Sequence, residues 1–527
     1  MLDVAEKPRS AASGRARTIV CLTALAAIAV VSRLPQLSSP HLLLDGDECV
    51  LGLMSKHFLE HREMPLFFWG QRYGLSTLEA SAGAASFALF GVGPVPLKIA
   101  MLTLWIVGVL FVFLALARTV GKTRGFWITC VLLVTPAWAV WSMKARGGYL
   151  TAFVAAAVLA WLLARDDEQS STAAWIAAGI LTAIVWLAQP IWLPGVLPLV
   201  AAALVSRRRI ASGLAYAVSA AAVVTVIKLI PVVSSETWAG PPLGNPSIWG
   251  QRIRVVQQIY INLTGSYYLT AAVDPPGAVT PILATVWYGV LVALVLVQIY
   301  RVATRTYCGW SHLLFASLAA TLAGNWLLLF ARDARYLLPM VALLVALAGV
   351  EIGDWRDRGV LPRRLVTVVT AAALVAGSMS MLEFRNFSYL WPNPPGSLSE
   401  SKRLQQVINA VRSHDASRVY SMNGLLDTQL IFYSNERVLS RWSNPNDRHP
   451  AYVADVDRAL AEGQPVAVVG YTNTSGAPGC WDVPICTGNI EHLVGNPERI
   501  FTVDGKYFVY IGADRTLLRK LGFELPD

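Results

Sequence analysis

Long apolar runs, joined by short connections that carry most of the arginines, constrain this chain more than any other feature. A helix needs about 20 predominantly apolar residues to cross a bilayer. Such runs fall at residues 17–36, 94–117, 123–141, 150–164, 173–188, 191–205, 211–233, 280–300, 311–331, 336–353 and 364–383. Ala, Gly and Ser are common within them, which suits close helix contact in lipid. Only 14% of the 527 residues are charged, against about 25% in a soluble domain. The expected fold is a polytopic α-helical membrane protein with about 11 transmembrane helices, over residues 1–385.

The positions of the charges orient the runs. A net charge of +10 raises the question of nucleic acid, but no Lys/Arg-rich helix or RNA-binding signature is present. With the N-terminus in the cytoplasm, the inner connections hold Arg118, Lys122 and Arg124; Arg165; Arg207, Arg208 and Arg209; Arg301 and Arg305; and Arg356, Arg358, Arg363 and Arg364. The other connections are poor in Lys and Arg, as the positive-inside rule requires. The first run resembles a signal peptide, but no small-x-small cleavage site follows, so it reads as an uncleaved span. This orientation puts a first loop (37–93), the 142–148 turn, a second large loop (234–279), the 332–335 turn and the C-terminus on one outer face. The protein is expected in the inner or plasma membrane, with an extracytoplasmic C-terminal domain.

From about residue 386 the composition changes. Pro392, Pro394, Pro395 and Gly396 form a linker, and a soluble α/β domain is expected over 386–527. Helices are expected at 399–413, 425–433 and 452–461, strands at 418–421 and 465–470, and a hairpin over 501–511 that turns at Asp504-Gly505. No Walker loop or dinucleotide fingerprint occurs, and no cofactor is expected. The seven histidines show no H-x-x-x-H pairing, so no metal site is expected. Cys480 and Cys486 suit a disulfide if the domain is exported, or two free thiols. The 234–279 loop, rich in Pro and Trp, suits a functional lid or a passive cap.

The residues that could carry chemistry concentrate in 45–79. Asp47 and Glu48 are candidate general bases at the rim of a helix bundle. Asp45 suits a helix N-cap, and Glu48 a first-turn acid that complements the helix dipole. Lys144, Arg146 and Tyr149 lie at one outer helix end; Arg332, Arg335 and Tyr336 lie at another. Cations there suit a phosphate or snorkelling to lipid headgroups. Gln71, Arg72, Tyr73 and Glu79 mix polar and aromatic groups, as a sugar site or an interfacial anchor does. Trp186, Gln189, Pro190 and Trp192 read as an interfacial belt.

Taken together, the Asp47-Glu48 pair just after the first span, the segments PLFFWGQRYG and STLEA, Phe90-Gly91 before a new span, Arg146-Gly147-Gly148-Tyr149 and ARYLLP (334–339) resemble the GT-C membrane glycosyltransferases. That group includes protein O-mannosyltransferases and lipid A aminoarabinose transferases. The resemblance covers roughly 17–350. It implies a polyprenyl-phosphate-linked sugar donor, inverting attack at the anomeric carbon on the outer face, and a catalytic acid at Asp47 with Glu48 beside it. It implies that Arg335 and Tyr336 face the donor phosphate or sugar. The residues themselves add Asp45, Gln71, Arg72, Tyr73, Lys144, Arg146, Tyr149 and Arg332 as further substrate-binding candidates. No second acid stands in the 144–149 turn, which implies a metal-independent enzyme. The acceptor (glycan, lipid or protein) does not follow. The competing reading is a transporter or flippase of lipid-linked saccharides, which would bind at the bilayer midplane.

Overall fold

The computed structural model describes residues 11–71, 73–164, 171–207, 210–230, 255–265, 277–305, 309–329, 334–386, 399–442, 447–472 and 500–526. Arg72, Arg332, Cys480, Cys486 and most of the 234–279 loop lie outside them. The rest is largely helical, with one small sheet near the C-terminus.

Among the described residues, six helices are long and apolar enough to cross a membrane: Gly14–Leu37, Pro94–Thr119, Ile210–Leu229, Val279–Ala303, Arg335–Asp357 and Arg363–Glu383. Tyr149–Leu163, Thr172–Ala188 and Pro190–Ser206 are shorter apolar helices. The chain is an integral membrane protein. One run expected as a single span, 123–141, is two helices, Lys122–Leu133 and Ala137–Trp141. Pro136 between them has no N–H to continue the ladder. The break is satisfied by Arg33, fully buried at the end of the first run. It donates to Leu133 O (2.6 Å), Trp138 O (3.2 Å) and Ser142 Oγ (3.1 Å), and its guanidinium lies 4.4 Å from the Trp105 ring centre. Trp105, Trp138, Phe153 and Trp192 continue inward as an aromatic cluster with ring centres 4.9–6.0 Å apart in sequence. Helices Pro94–Thr119 and Tyr149–Leu163 approach closely beside this cluster, because a side chain at Gly108 would meet the Phe153 ring. The expected interfacial belt is corrected here. Trp186 is exposed, but Trp192 is buried, and Gln189 is buried because its amide holds Gly147 O at 2.8 Å.

The C-terminal part is a mixed five-stranded sheet in the order β2-β1-β3-β5-β4: β1 Arg418–Ser421, β2 Leu439–Arg441, β3 Val466–Tyr471, β4 Ile500–Val503 and β5 Tyr507–Ile511. β2, β1 and β3 are parallel, and β5 and β4 antiparallel. Asp504 and Gly505 take positive φ in the three-residue β4–β5 connection, 504–506, where Lys506 N donates to Val503 O at 3.0 Å. Alternate residues of β3 feed two cores. Ala467 and Val469 meet helices Glu400–Arg412 and Gly424–Tyr433, while Val466 and Val468 meet Pro450–Ala461 and Arg515–Lys520.

This α/β unit rests directly on the first loop. Helix Gly424–Tyr433 lies on helix Gly46–Leu59: Thr428 Oγ1 donates to Gly46 O (2.8 Å), Gln429 Nε2 to Leu44 O (2.7 Å), and Leu44 N to the Tyr433 hydroxyl (3.0 Å). A Cβ on Gly46 would stand 2.7 Å from Leu425 Cα, so only glycine permits this approach.

Candidate active site

Helix Gly46–Leu59 organises the site, and its start is written in the sequence. Asp45 is the N-cap; its Oδ1 accepts from Glu48 N at 2.8 Å, and Glu48 Oε2 accepts from Asp45 N at 3.2 Å. This capping box satisfies two backbone donors that the first turn would leave open. It also fixes the two carboxylates back to back and leaves Asp47, between them, aimed elsewhere.

Asp45 and Glu48 are buried and their charge is met by lysines. Lys144 Nζ lies 2.5 Å from Asp45 Oδ2 and 3.1 Å from Glu48 Oε2, Lys98 pairs with Glu48 Oε1, and Ala145 N donates to the same oxygen at 3.2 Å. Two acids and two lysines balance, which a buried cluster of this size requires. Burial alone would raise the Asp45 carboxyl, but Lys144 and then Arg146 hold it below the ordinary carboxylate range.

Asp47 faces the rim. Its Oδ2 lies 2.6 Å from Arg146 Nη2, and its Oδ1 lies 3.3 Å from Arg448 Nη2, which belongs to the C-terminal unit. The Arg448 guanidinium lies 5.6 Å from the Phe68 ring centre. Arg146 is placed by a turn that Glu79 holds. The Glu79 carboxylate accepts from Gly148 N (2.8 Å), Leu150 N (2.7 Å) and Thr151 N (3.0 Å), capping helix Tyr149–Leu163. Burial pushes the Glu79 carboxyl up to about 7, against the pull of those three N–H groups. Gly148 has φ near +80°, and a Cβ there would meet Ala188 O at 2.6 Å; the turn needs glycine.

Tyr73 lies half-exposed within electrostatic range of Tyr336, Arg448, Arg335 and Arg146. The Arg335 guanidinium lies 5.1 Å from the Tyr336 ring centre, and its Nη2 is 3.3 Å from the Tyr336 hydroxyl. The structure therefore brings Asp47, Arg146, Tyr73, Arg335 and Tyr336 to one place. It sets Asp45, Glu48 and Lys144 below them as a buried support. Tyr149 is buried, with its ring 4.8 Å from Trp141 and its N–H donating to Arg146 O at 3.1 Å. Gln71 is partly buried in the 66–76 turn, where its N–H donates to Phe68 O at 3.0 Å. Arg72 and Arg332 lie outside the described residues. A cleft beside the buried support is lined by Gln36, Glu48, Lys98, Met143, Lys144 and Arg385, among others.

Sequence reasoning misses Lys98 and Arg448, and it places Glu79 with the sugar-site candidates Gln71, Arg72 and Tyr73, whereas the structure makes it the cap of helix Tyr149–Leu163. Lys98 carries a signal, a lone cation five residues into an apolar run. The partners of Glu79 and Arg448 carry no signal, since they are 69 and 401 residues away.

No protein-family description matches this chain, and no curated protein sequence matches it. Solved structures do. ArnT from Cupriavidus metallidurans bound to undecaprenyl phosphate superposes with a TM-score of 0.55 over 95% of this chain and 98% of that one, at 14% identity. The same protein in the apo state gives 0.46 at 15% identity, covering 96% and 99%. The Archaeoglobus fulgidus oligosaccharyltransferase with zinc and sulfate gives 0.48 at 12% identity, covering 86% and 68%. The fold is GT-C. Within that fold, the expected architecture of apolar helices and a C-terminal sheet unit is what the structure has.

Among the described residues, one trio of metal-ligating groups gathers: His57, Glu63 and His449. It sits at the far end of helix Gly46–Leu59 from Asp47, ten residues or about 15 Å along the axis.

Proposed function

We propose that this chain is a membrane glycosyltransferase that moves a sugar from a polyprenyl-phosphate donor to an acceptor on the outer face, with inversion. The observation that carries the reading is Asp47 clamped between Arg146 and Arg448, with Tyr73, Arg335 and Tyr336 beside it. ArnT, whose fold this chain shares, was solved with undecaprenyl phosphate, and the same class of lipid suits the cations gathered here. A donor phosphate is an alternative anion for both arginines, and arginine binds phosphate through paired N–H groups. As the arginines turn from carboxylate to phosphate, Asp47 is released to take the proton of an acceptor hydroxyl or amine. That nucleophile attacks the anomeric carbon, the bond from that carbon to the phosphate oxygen breaks, and the electron pair leaves with the phosphate. The arginines stabilise the charge that collects there. No metal ion is needed in these steps. The N-terminus is cytoplasmic in this reading, and the C-terminal unit is extracytoplasmic.

The test is sugar release from a polyprenyl-phosphate-linked donor by purified protein, with donor affinity measured separately. Asp47→Asn keeps the shape and should lower the rate by about 100- to 10,000-fold, as loss of a positioned base does, while the donor still binds. Wild-type turnover in Asp47→Asn would remove the base assignment. Donor carried across a vesicle without sugar release would favour the transporter reading instead.

A further inference from the structure

We infer that His57, Glu63 and His449 form a structural zinc-class metal site that staples the C-terminal unit to the first loop. The three residues come from two separate parts of the chain, the end of helix Gly46–Leu59 with its following turn, and the segment just before helix Pro450–Ala461. His57 Nδ1 lies 3.7 Å from Glu63 Oε1, and His449 Nε2 lies 3.8 Å from Glu63 Oε2. One ligand atom from each of the three falls within 4.8 Å of the others. Ligand atoms about 2.0–2.2 Å from a tetrahedral zinc stand roughly 3.3 Å apart, so a small contraction closes the set. Two histidines and one carboxylate, with a position left over, are a zinc-type donor set.

The protons support a cation between these groups. The other His57 nitrogen, Nε2, lies 3.0 Å from Glu436 Oε1. Glu436 also takes protons from the Tyr452 hydroxyl (2.7 Å), from Arg62 (2.9 and 2.8 Å) and from Lys56. A carboxylate so surrounded is ionised, and Nε2 donates to it. Arg62 Nη1, one of whose two protons goes to Glu436 Oε1, and the Tyr452 hydroxyl each lie 3.0 Å from Nε2 as well. In the tautomer that donates Nε2–H to Glu436, Nδ1 carries a bare lone pair toward the Glu63 carboxylate. Two acceptors facing each other in a mostly buried place repel unless a cation lies between them. His449 differs in its outer nitrogen: its Nε2 lies 3.8 Å from Glu63 Oε2, beyond hydrogen-bond reach, and its buried Nδ1 has no hydrogen-bond partner among the described residues. The chain Glu436–His57–metal is the arrangement that fixes a histidine tautomer at metal centres. Trp69 completes the wall, with its ring 4.3 Å from His449 and its Nε1 donating to Glu63 Oε1 at 2.5 Å.

The residue before His449 is Arg448, the arginine on Asp47. A metal on His449 would fix the backbone from which Arg448 reaches the rim. The ion would act on the position of the clamp, not at the reacting carbon.

The experiment uses the full chain in detergent, stripped with EDTA, desalted and titrated with zinc chloride, then with cobalt chloride as an optical probe. The wild type should take up one zinc per chain, raise its thermal midpoint on doing so, and give the visible bands of four-coordinate cobalt. His449→Ala and Glu63→Gln should each lose at least about tenfold in zinc affinity, and Glu436→Gln about 10- to 100-fold as an outer partner. Metal-free thermal midpoints of the variants close to that of the metal-free wild type would show that the fold persists. Absence of uptake by the wild type, or equal affinity in His449→Ala, overturns the site. So does a wild type stabilised by acid through pH 6 but not by zinc, which would make the trio an ion pair of protonated histidines. Because the readout is metal binding, failure here leaves the glycosyltransferase reading standing, and loss of sugar transfer alone would not touch this inference.

Discussion

The two ends of helix Gly46–Leu59 carry charge in opposite ways. At the start, three acids meet cations drawn mostly from the membrane helices and their turns, Lys98, Lys144 and Arg146, with Arg448 alone crossing from the C-terminal unit. At the end, Lys56, His57 and the following Arg62 converge on Glu436 of that unit, beside the local acids Glu60 and Glu63. Burial alone would raise the Glu436 carboxyl, yet its bonds to His57, Arg62, Lys56 and Tyr452 hold it well below the ordinary range. The first end is a buried, balanced support that leaves Asp47 at a rim. The second is a docking contact. Both ends touch the C-terminal unit, the start through Gly46 and Leu44 and the end through Glu436, and about three turns of helix lie between them.

The largest effect on stability is expected from Lys144→Met. It leaves Asp45 buried without its nearest cation, and breaking a buried pair from one side costs about 3–5 kcal/mol. Thermal unfolding should drop by several degrees with the far-end contact intact; an unchanged midpoint would mean that water reaches the cluster. Gly46→Ala comes next. Its Cβ collides with the Leu425 backbone, and crowding of that kind costs about 1–3 kcal/mol. Proteolysis should then release the C-terminal unit while the membrane helices persist, and resistance equal to wild type would show that the contact slides.

The smallest effect is a slope. The folded Asp45 carboxyl lies below its unfolded value near 3.8. Its contribution is therefore complete above that pH and is lost as pH falls through the folded value. Asp45→Asn keeps a good N-cap and removes the charge, so the acid limb of the stability profile should flatten. An identical limb in the variant would place the acid sensitivity elsewhere.

Local signals in the sequence carried the elements. Apolar runs marked the helices at 94–119, 210–229, 279–303 and 363–383 to within a few residues, and Asp504-Gly505 marked the hairpin. The Asp45 cap was legible because a cap and its partner lie three residues apart. What periodicity does not encode is pairing at a distance. β2 is three residues long and has no alternation to show. Pro136 split an apolar run that hydropathy alone reads as continuous. Within the site, Lys144 and Arg146 were visible as cations at a helix end. That Lys144 faces inward and Arg146 outward depends on the 145–148 turn, which Glu79 sets from another helix. Arg448 and His449, in a short polar stretch of the C-terminal unit, are indistinguishable from surface residues until the sheet domain is laid on the first loop.

The contact between Asp47 and Arg448 spans 401 residues. At about 5–20 residues per second of synthesis, the acidic loop waits roughly 20–80 s for its last arginine. Until then Asp47 has Arg146 but not the second half of its clamp, and Leu44, Gly46 and Gly52 have no helix above them. Assembly of the rim is thus deferred to the final fifth of translation, and a chain stopped short of residue 424 would hold the membrane helices and every acid of the first loop, yet remain an unfinished machine.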